Sequence, residues 1–257
     1  MSRRNSLTHN DVANYERDGY VLVENVFSPE EVKAMIDEIE GGHGIEEHTK
    51  VRLDAGGKKT KLAIWHKLEN DIWGAASTSP RLVNNVRVLL REDIAFFHGK
   101  VMLKEAHTGG AWEWHQDYGY WYDQGFVYPR MLSAFIALDR ATQENGCLQV
   151  LRASHQMGRL NHVQIGTQLG VEKSRIEKVE PLFERVQCEM SSGSVLYFDG
   201  NLLHTSGANE SDHHRRSLII AYTALGNPQI SETQTASQVS CPVGEDDAIL
   251  KFALSYK

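Results

Sequence analysis

Residues 112–121 read WEWHQDYGYW, and His115 and Asp117 stand two apart among the aromatic rings. On an extended strand that spacing sends both side chains from one face. An imidazole and a carboxylate could then grip one ion, given a third ligand from elsewhere. Two imidazoles and one carboxylate on one face of an octahedron leave three positions open, the donor set of non-haem Fe(II) oxygenases. The bare pair is weak evidence, because His-x-Asp arises by chance about 0.6 times in a chain of this composition. A structural hydrogen-bonded pair is the alternative. His9 and Asp11 repeat the spacing, but in a polar stretch that reads as a helix start, where i and i+2 point apart.

The C-terminal half offers the third ligand. In SVLYFDGNLLH a strand ends at His204; a polar loop follows, then the strand RRSLIIAYT. If these strands pair around the loop, His204 and Arg215 lie near the same end of a sheet. Arg215 could hold a dicarboxylate through two parallel charge-assisted hydrogen bonds, with Ser217 donating to the same group. A 2-oxo acid bound there would chelate iron through its other end and leave one position for O2. Singly, His204 also reads as a core histidine and Arg215 as a surface cation of the HHRR run. Lys104, in KVMLKEA, reads as a solvent-facing strand lysine, with contact to an anionic substrate or cosubstrate as its alternative.

The elements that must position these groups are mostly strands. His9 to Asp18 reads as a short helix stopped by Gly19, and 19–27 as a strand. Ser28, Pro29 and Glu31 open a second helix through a capping box. Ser79 and Pro80 open a third. From residue 94 short β-rich runs alternate with turn signals at 144–146, 191–193 and 207–212. Asn145 and Gly146 are turn-makers. The expected architecture is mainly β, a sandwich or barrel with helices outside. It forms one domain over 1–257, with a helical front over 1–93, a β core over about 94–226 and a tail over 227–257. Residues 41–61 and 156–185 resist assignment, and loops of that length often cover sites.

Composition bounds the rest. A net charge of −7 and a pI near 5.9 argue against non-specific binding to nucleic acid or an anionic membrane surface. Three scattered cysteines suggest a reduced compartment, and no run is long and apolar enough for a membrane span. The expectation is a cytoplasmic protein acting on a small molecule, its oligomeric state open.

In order, DGYVLVENVFSPEEV, WHQD, ALDRATQENGCLQVLRASH, GSVLYFDGNLLHTSGANES and RRSLIIAY resemble the phytanoyl-CoA dioxygenase-like family of Fe(II)/2-oxoglutarate oxygenases. Arg152-Ala153 replaces that family's usual Pro-Gly. The resemblance implies a double-stranded β-helix, or jelly roll, with cupin-like topology. It implies His115, Asp117 and His204 as iron ligands, and Arg215 with Ser217 at 2-oxoglutarate. Locally, WHQDYGYW and the following PRM are similar to ectoine hydroxylases. That likeness implies Trp121 walling the cosubstrate, Ser206 contacting it and His98 in place of a polar cosubstrate contact. Gly119-Tyr120 and YDQGFVY depart from the pattern, so the substrate does not transfer. Asp117 implies hydroxylation, since related halogenases carry a small residue there. His155 closes a turn. The implied reaction uses Fe(II), 2-oxoglutarate and O2 to hydroxylate a C–H bond, with succinate and CO2 released. Two other readings compete: a catalytically silent jelly-roll protein that binds a small ligand over a vestigial metal site, and a metal enzyme without a 2-oxo acid, which would leave Arg215 idle.

Overall fold

The computed structural model describes residues 6–41, 49–231 and 239–255. Helix α1 (His9–Asp18) opens on a capping box between Thr8 and Asp11. It stops at Gly19, whose φ of 84° lies in the left-handed region. Asp11 therefore serves a helix start, as its polar setting suggested. Strand β1 (Tyr20–Val23) is shorter than the expected 19–27. Helix α2 (Pro29–Gly41) begins where Ser28 N–H donates to Glu31 Oε2 at 2.8 Å and Glu31 N–H donates back to Ser28 Oγ at 3.3 Å.

Part of the unassigned stretch 41–61 forms a hairpin of β2 (Thr49–Leu53) and β3 (Lys59–Trp65). Asp54 builds its turn, its Oδ1 accepting from Gly56 N–H and Lys58 N–H at 2.9 Å each. Helices α3 (Ile72–Ser77) and α4 (Pro80–Leu90) follow. Pro80 takes the first turn of α4, but the Ser79 side chain makes no cap bond. The remaining elements are β4 (Ile94–Lys104), β5 (Trp112–His115), α5 (Asp117–Asp123), β6 (Met131–Ala137), β7 (Leu148–Leu151), β8 (His162–Ile165), β9 (Gln168–Val171), α6 (Lys173–Val179), β10 (Arg185–Cys188), β11 (Val195–Asp199), β12 (His204–Ser206), β13 (Arg215–Ala224) and α7 (Ala248–Ser255). The second unassigned stretch, 156–185, thus contains the β8–β9 hairpin and α6.

Two antiparallel sheets make the sandwich. The larger runs β1-β11-β6-β13-β4-β3-β2 and the smaller β10-β7-β12-β5. This is the jelly roll with outer helices. The residues before 94 supply three strands of the large sheet as well as helices. Alternation along β13 shows how the layers form. Leu218, Ile220 and Tyr222 join the core shared with the helices, together with Val83, Val86 and Met35. Ile219, one residue out of phase, joins the core between the sheets, with Met102, Phe135, Leu148 and Phe198. Arg215 and Ser217 share the phase of Ile219, so the same pleat turns a guanidinium and a hydroxyl toward the small sheet.

Two expected strands are divided. The run AWEWHQDY is strand only to His115; Gln116 is extended, with φ −109° and ψ 133°, and Asp117 begins α5. SVLYFDGNLLH breaks after Asp199, because Leu202 N–H donates to Asp199 O at 2.9 Å in a turn that crosses from the large sheet to the small one. The strands carrying His204 and Arg215 therefore do not pair with each other. β12 pairs with β5 and β7, while β13 pairs with β4 and β6.

Candidate metal centre and its pockets

His115 and His204 are direct register partners on β5 and β12, and their ring centroids lie 4.0 Å apart. Asp117 reaches the same point from the start of α5. Its Oδ1 is 3.7 Å from His115 Nε2 and 4.0 Å from His204 Nε2. One ligand atom from each residue falls within 4.8 Å of the others, and all three residues are buried. His115 and Asp117 turn toward one point, but not along one strand as expected: β5 ends at His115, and Asp117 reaches the point from α5.

The surroundings fix what these atoms present. His115 Nδ1 lies 2.7 Å from the carbonyl of Glu113, and His204 Nδ1 lies 2.8 Å from the carbonyl of Leu202. A carbonyl only accepts, so each Nδ1 carries the proton and each Nε2 turns a lone pair inward. Burial pushes His204 down to about 3, with His115 adding to the effect, so its ring is neutral. Burial alone would raise the Asp117 carboxyl. Lys100, the contact with His115 and the nearby His204 outweigh it and hold Asp117 well below the usual carboxylate range. Ser133 Oγ donates to Asp117 Oδ2 at 2.6 Å, which leaves Oδ1 for the centre. Two imidazole nitrogens and a carboxylate oxygen converge, and that donor set suits a divalent cation.

These ligands line a buried pocket together with Arg215 and Ser206. Arg215 is 1% exposed, and its Nη1 donates to Ser217 Oγ at 3.3 Å. Its Nε has no hydrogen-bond partner, and no carboxylate among the described residues is within ion-pairing distance. Burial lowers this guanidinium to about 10. A buried cation with unspent donors is costly unless an anion joins it.

His98 and Trp121 do not line this pocket. Both wall an adjoining cavity of about 310 Å³ that shares His115, Asp117, Lys100, Met102 and Trp112 with it. Their rings stand edge-on, centroids 6.3 Å apart. Trp121 is buried in α5, so its inward direction comes from a helix face and not from strand alternation.

Lys104 corrects the sequence reading outright. It is 0% exposed, not solvent-facing. Its Nζ donates to Ser206 Oγ at 2.7 Å and to the carbonyl of Gly207. The Lys104–Arg215 register explains the direction, since both occupy the inner pleat of the large sheet. His155 is structural as expected, its Nε2 meeting the carbonyl of Glu16 at 3.1 Å, and Asn145 closes its turn by accepting from Thr142 N–H at 2.8 Å.

Three contributors escaped the sequence reading. Ser133 orients Asp117; its signal was a lone hydroxyl in the otherwise apolar MLSAFIA. Ser154 Oγ accepts from Leu203 N–H at 2.9 Å and so holds the backbone beside His204. Lys100 lines both pockets, and its signal was a cation inside the apolar run IAFFHGKVML.

This chain belongs to the phytanoyl-CoA dioxygenase family, whose model matches residues 15–217. Among its relatives is an ectoine dioxygenase of Bordetella bronchiseptica, 26% identical over 239 residues, covering 86% of this chain and 77% of that protein. An L-proline trans-4-hydroxylase of Streptomyces griseoviridis is 26% identical over 229 residues, covering 83% and 85%. The fold is similar to that of EctD from S. alaskensis with bound Fe, with a TM-score of 0.76 at 20% identity over 93% of this chain and 87% of that one.

Proposed function

We propose that the chain is an Fe(II)- and 2-oxoglutarate-dependent oxygenase that hydroxylates a C–H bond of a small molecule. The observation that carries the reading is that one buried pocket is lined by three convergent donors, two imidazoles and a carboxylate, and by an arginine with no anionic partner. His115 Nε2, Asp117 Oδ1 and His204 Nε2 would hold the iron. Arg215, backed by Ser217, would bind the far carboxylate of 2-oxoglutarate through charge-assisted hydrogen bonds, with Ser206 beside it. Iron with 2-oxoglutarate and O2 supplies the oxidising chemistry, in which cosubstrate decarboxylation to succinate and CO2 accompanies C–H hydroxylation.

The protein's own residues supply order and dryness. The two backbone-anchored imidazoles and the Ser133-held carboxylate keep their donor atoms pointed inward before any ion arrives. Met102, Trp112 and Phe135 exclude water from the pocket wall. His98 and Trp121 wall the adjoining cavity beside the metal centre, where they would border the cosubstrate or the substrate. The three cysteines are free and buried, and no described helix is long and apolar enough to cross a membrane. The free thiols support a cytoplasmic location.

The test is spectroscopic and chemical. Under argon, Fe(II) plus 2-oxoglutarate should give a weak visible absorption band that Asp117→Ala abolishes. Admission of O2 should then yield succinate. A flat spectrum and no succinate from the intact protein would remove the reading.

A further inference from the structure

Resting on that reading, the cavity next to the metal centre specifies what the substrate carries. Its wall holds three cations, Lys50, Arg52 and Lys100, and one carboxylate, Asp117, which belongs to the metal centre. Lys50 and Arg52 have no carboxylate partner among the described residues, and the one side-chain bond of Arg52 is a long 3.5 Å contact to the neighbouring carbonyl of Val51, while Lys100 acts on Asp117 without forming an ion pair. On the same stretch of sheet, Lys58 meets Glu210 and Lys61 meets Glu105 at 2.8 Å. Lys61 lies on the opposite pleat of β3 from the cavity-lining Leu62 and Ile64.

The register orders the wall. Lys50 and Arg52 stand two apart on β2, and so on one face. Lys50 pairs with Leu62, and Leu62 with Met102. Ile64 pairs with Lys100. Moving inward from the edge strand, the wall runs from two cations through Leu62 and Ile64 to the metal-side residues of β4. A lysine on an edge strand can serve only to block sheet-to-sheet association. Lys100 has no such use, because β4 lies inside the sheet, between β3 and β13.

We propose that the substrate is a small oxyanion, a carboxylate or a phosphate. Its charged end is bound by Lys50 and Arg52, and its apolar body lies along Leu62, Ile64 and Trp112 toward the iron. Arg52 supplies a planar fork for two oxygens, and Lys50 a mobile point charge. Lys100 keeps the inner cavity positive and bars a cationic substrate from the metal side.

Four aromatic probes of one shape and different charge test this: benzoate, phenyl phosphate, benzamide and benzylamine. Each is titrated calorimetrically into the protein holding Fe(II) and saturating 2-oxoglutarate under argon, with wild type compared to the Lys50→Gln/Arg52→Gln double variant. Lys50 is exposed and Arg52 half-buried on the edge strand, so the fold should tolerate the changes. Benzoate or phenyl phosphate should bind at least about tenfold more tightly than benzamide, and benzylamine more weakly still. The tighter of the two anions identifies the oxyanion. The double variant should lose the preference while its 2-oxoglutarate absorption band keeps its midpoint. Equal binding of benzamide, no binding by any probe, or a preference that survives in the double variant would overturn the inference. Loss of the oxygenase reading would show separately, as a missing band in the wild type.

Discussion

Lys104 and Arg215 are register partners on β4 and β13, and both are buried to 1% exposure or less. Like charges directly across a strand pair repel, and burial amplifies the cost. The structure relieves the conflict on one side only. Burial, reinforced by Arg215, pushes the Lys104 amine well below its usual range, and Ser206 and Gly207 take its hydrogen bonds. Arg215 keeps its charge without an anionic partner, which is what an incoming dicarboxylate needs.

Arg215→Met should therefore separate function from stability. It should weaken 2-oxoglutarate binding by about 2–3 kcal/mol, roughly 30- to 150-fold. Without cosubstrate the variant should melt a few degrees higher, because an unpaired buried cation has been exchanged for hydrocarbon. Titration of the visible band and thermal melts without ligand check the two halves.

Ser133 acts through Asp117. Ser133→Ala frees the carboxylate to rotate, so anaerobic Fe(II) affinity should fall about 10- to 100-fold. Urea denaturation of the metal-free protein should change by less than about 1 kcal/mol. Asp117→Asn keeps an oxygen for Ser133 but removes the charge, and should lose Fe(II) binding at micromolar metal.

Gly119 lets α5 approach β8. A Cβ built there would stand 1.9 Å from His162 Cε1. Gly119→Ala should cost about 2–3 kcal/mol in urea unfolding. Adding His162→Ala should give a double variant that loses less than the sum of the two single changes, since one removes the other's clash.

Asp199 predicts a pH dependence. Burial pushes its carboxyl up to about 7, against the lowering effect of the bond it accepts from Asn201 N–H. Its unfolded value is about 3.9, so the native state holds the extra proton between these values. Stability from this group therefore falls as pH rises from about 4 through 7. Asp199 is partly exposed, which moderates the size. Asp199→Asn should be more stable than wild type by about 2 kcal/mol at pH 8 and by less than half of that at pH 5. Chemical denaturation at the two pH values checks the sign.

The sequence alone determined the parts that depend on neighbours in the chain. Thr8 with Asp11, Ser28 with Glu31 and the stop at Gly19 are local hydrogen bonds and local dihedrals, so α1 and α2 were legible. The β-rich run RRSLIIAYT was legible as a strand. The order of WHQD, His204 and Arg215 along the chain pointed to the family and its donor set.

Only the tertiary structure decided how those donors meet. His115 and His204, 89 positions apart in number, become neighbours through the β5–β12 register, which no local propensity encodes. The chain breaks at Asp199 and changes sheets, so Arg215 faces His204 across the sandwich and not along one hairpin. Lys104 shows the same limit. A lysine in a strand points outward or inward according to the pleat, and the pleat's phase is fixed by which strands lie on either side. Whether a charge ends in water or in the core is settled by long-range packing, because burial is a property of the assembled sheets and not of the residue.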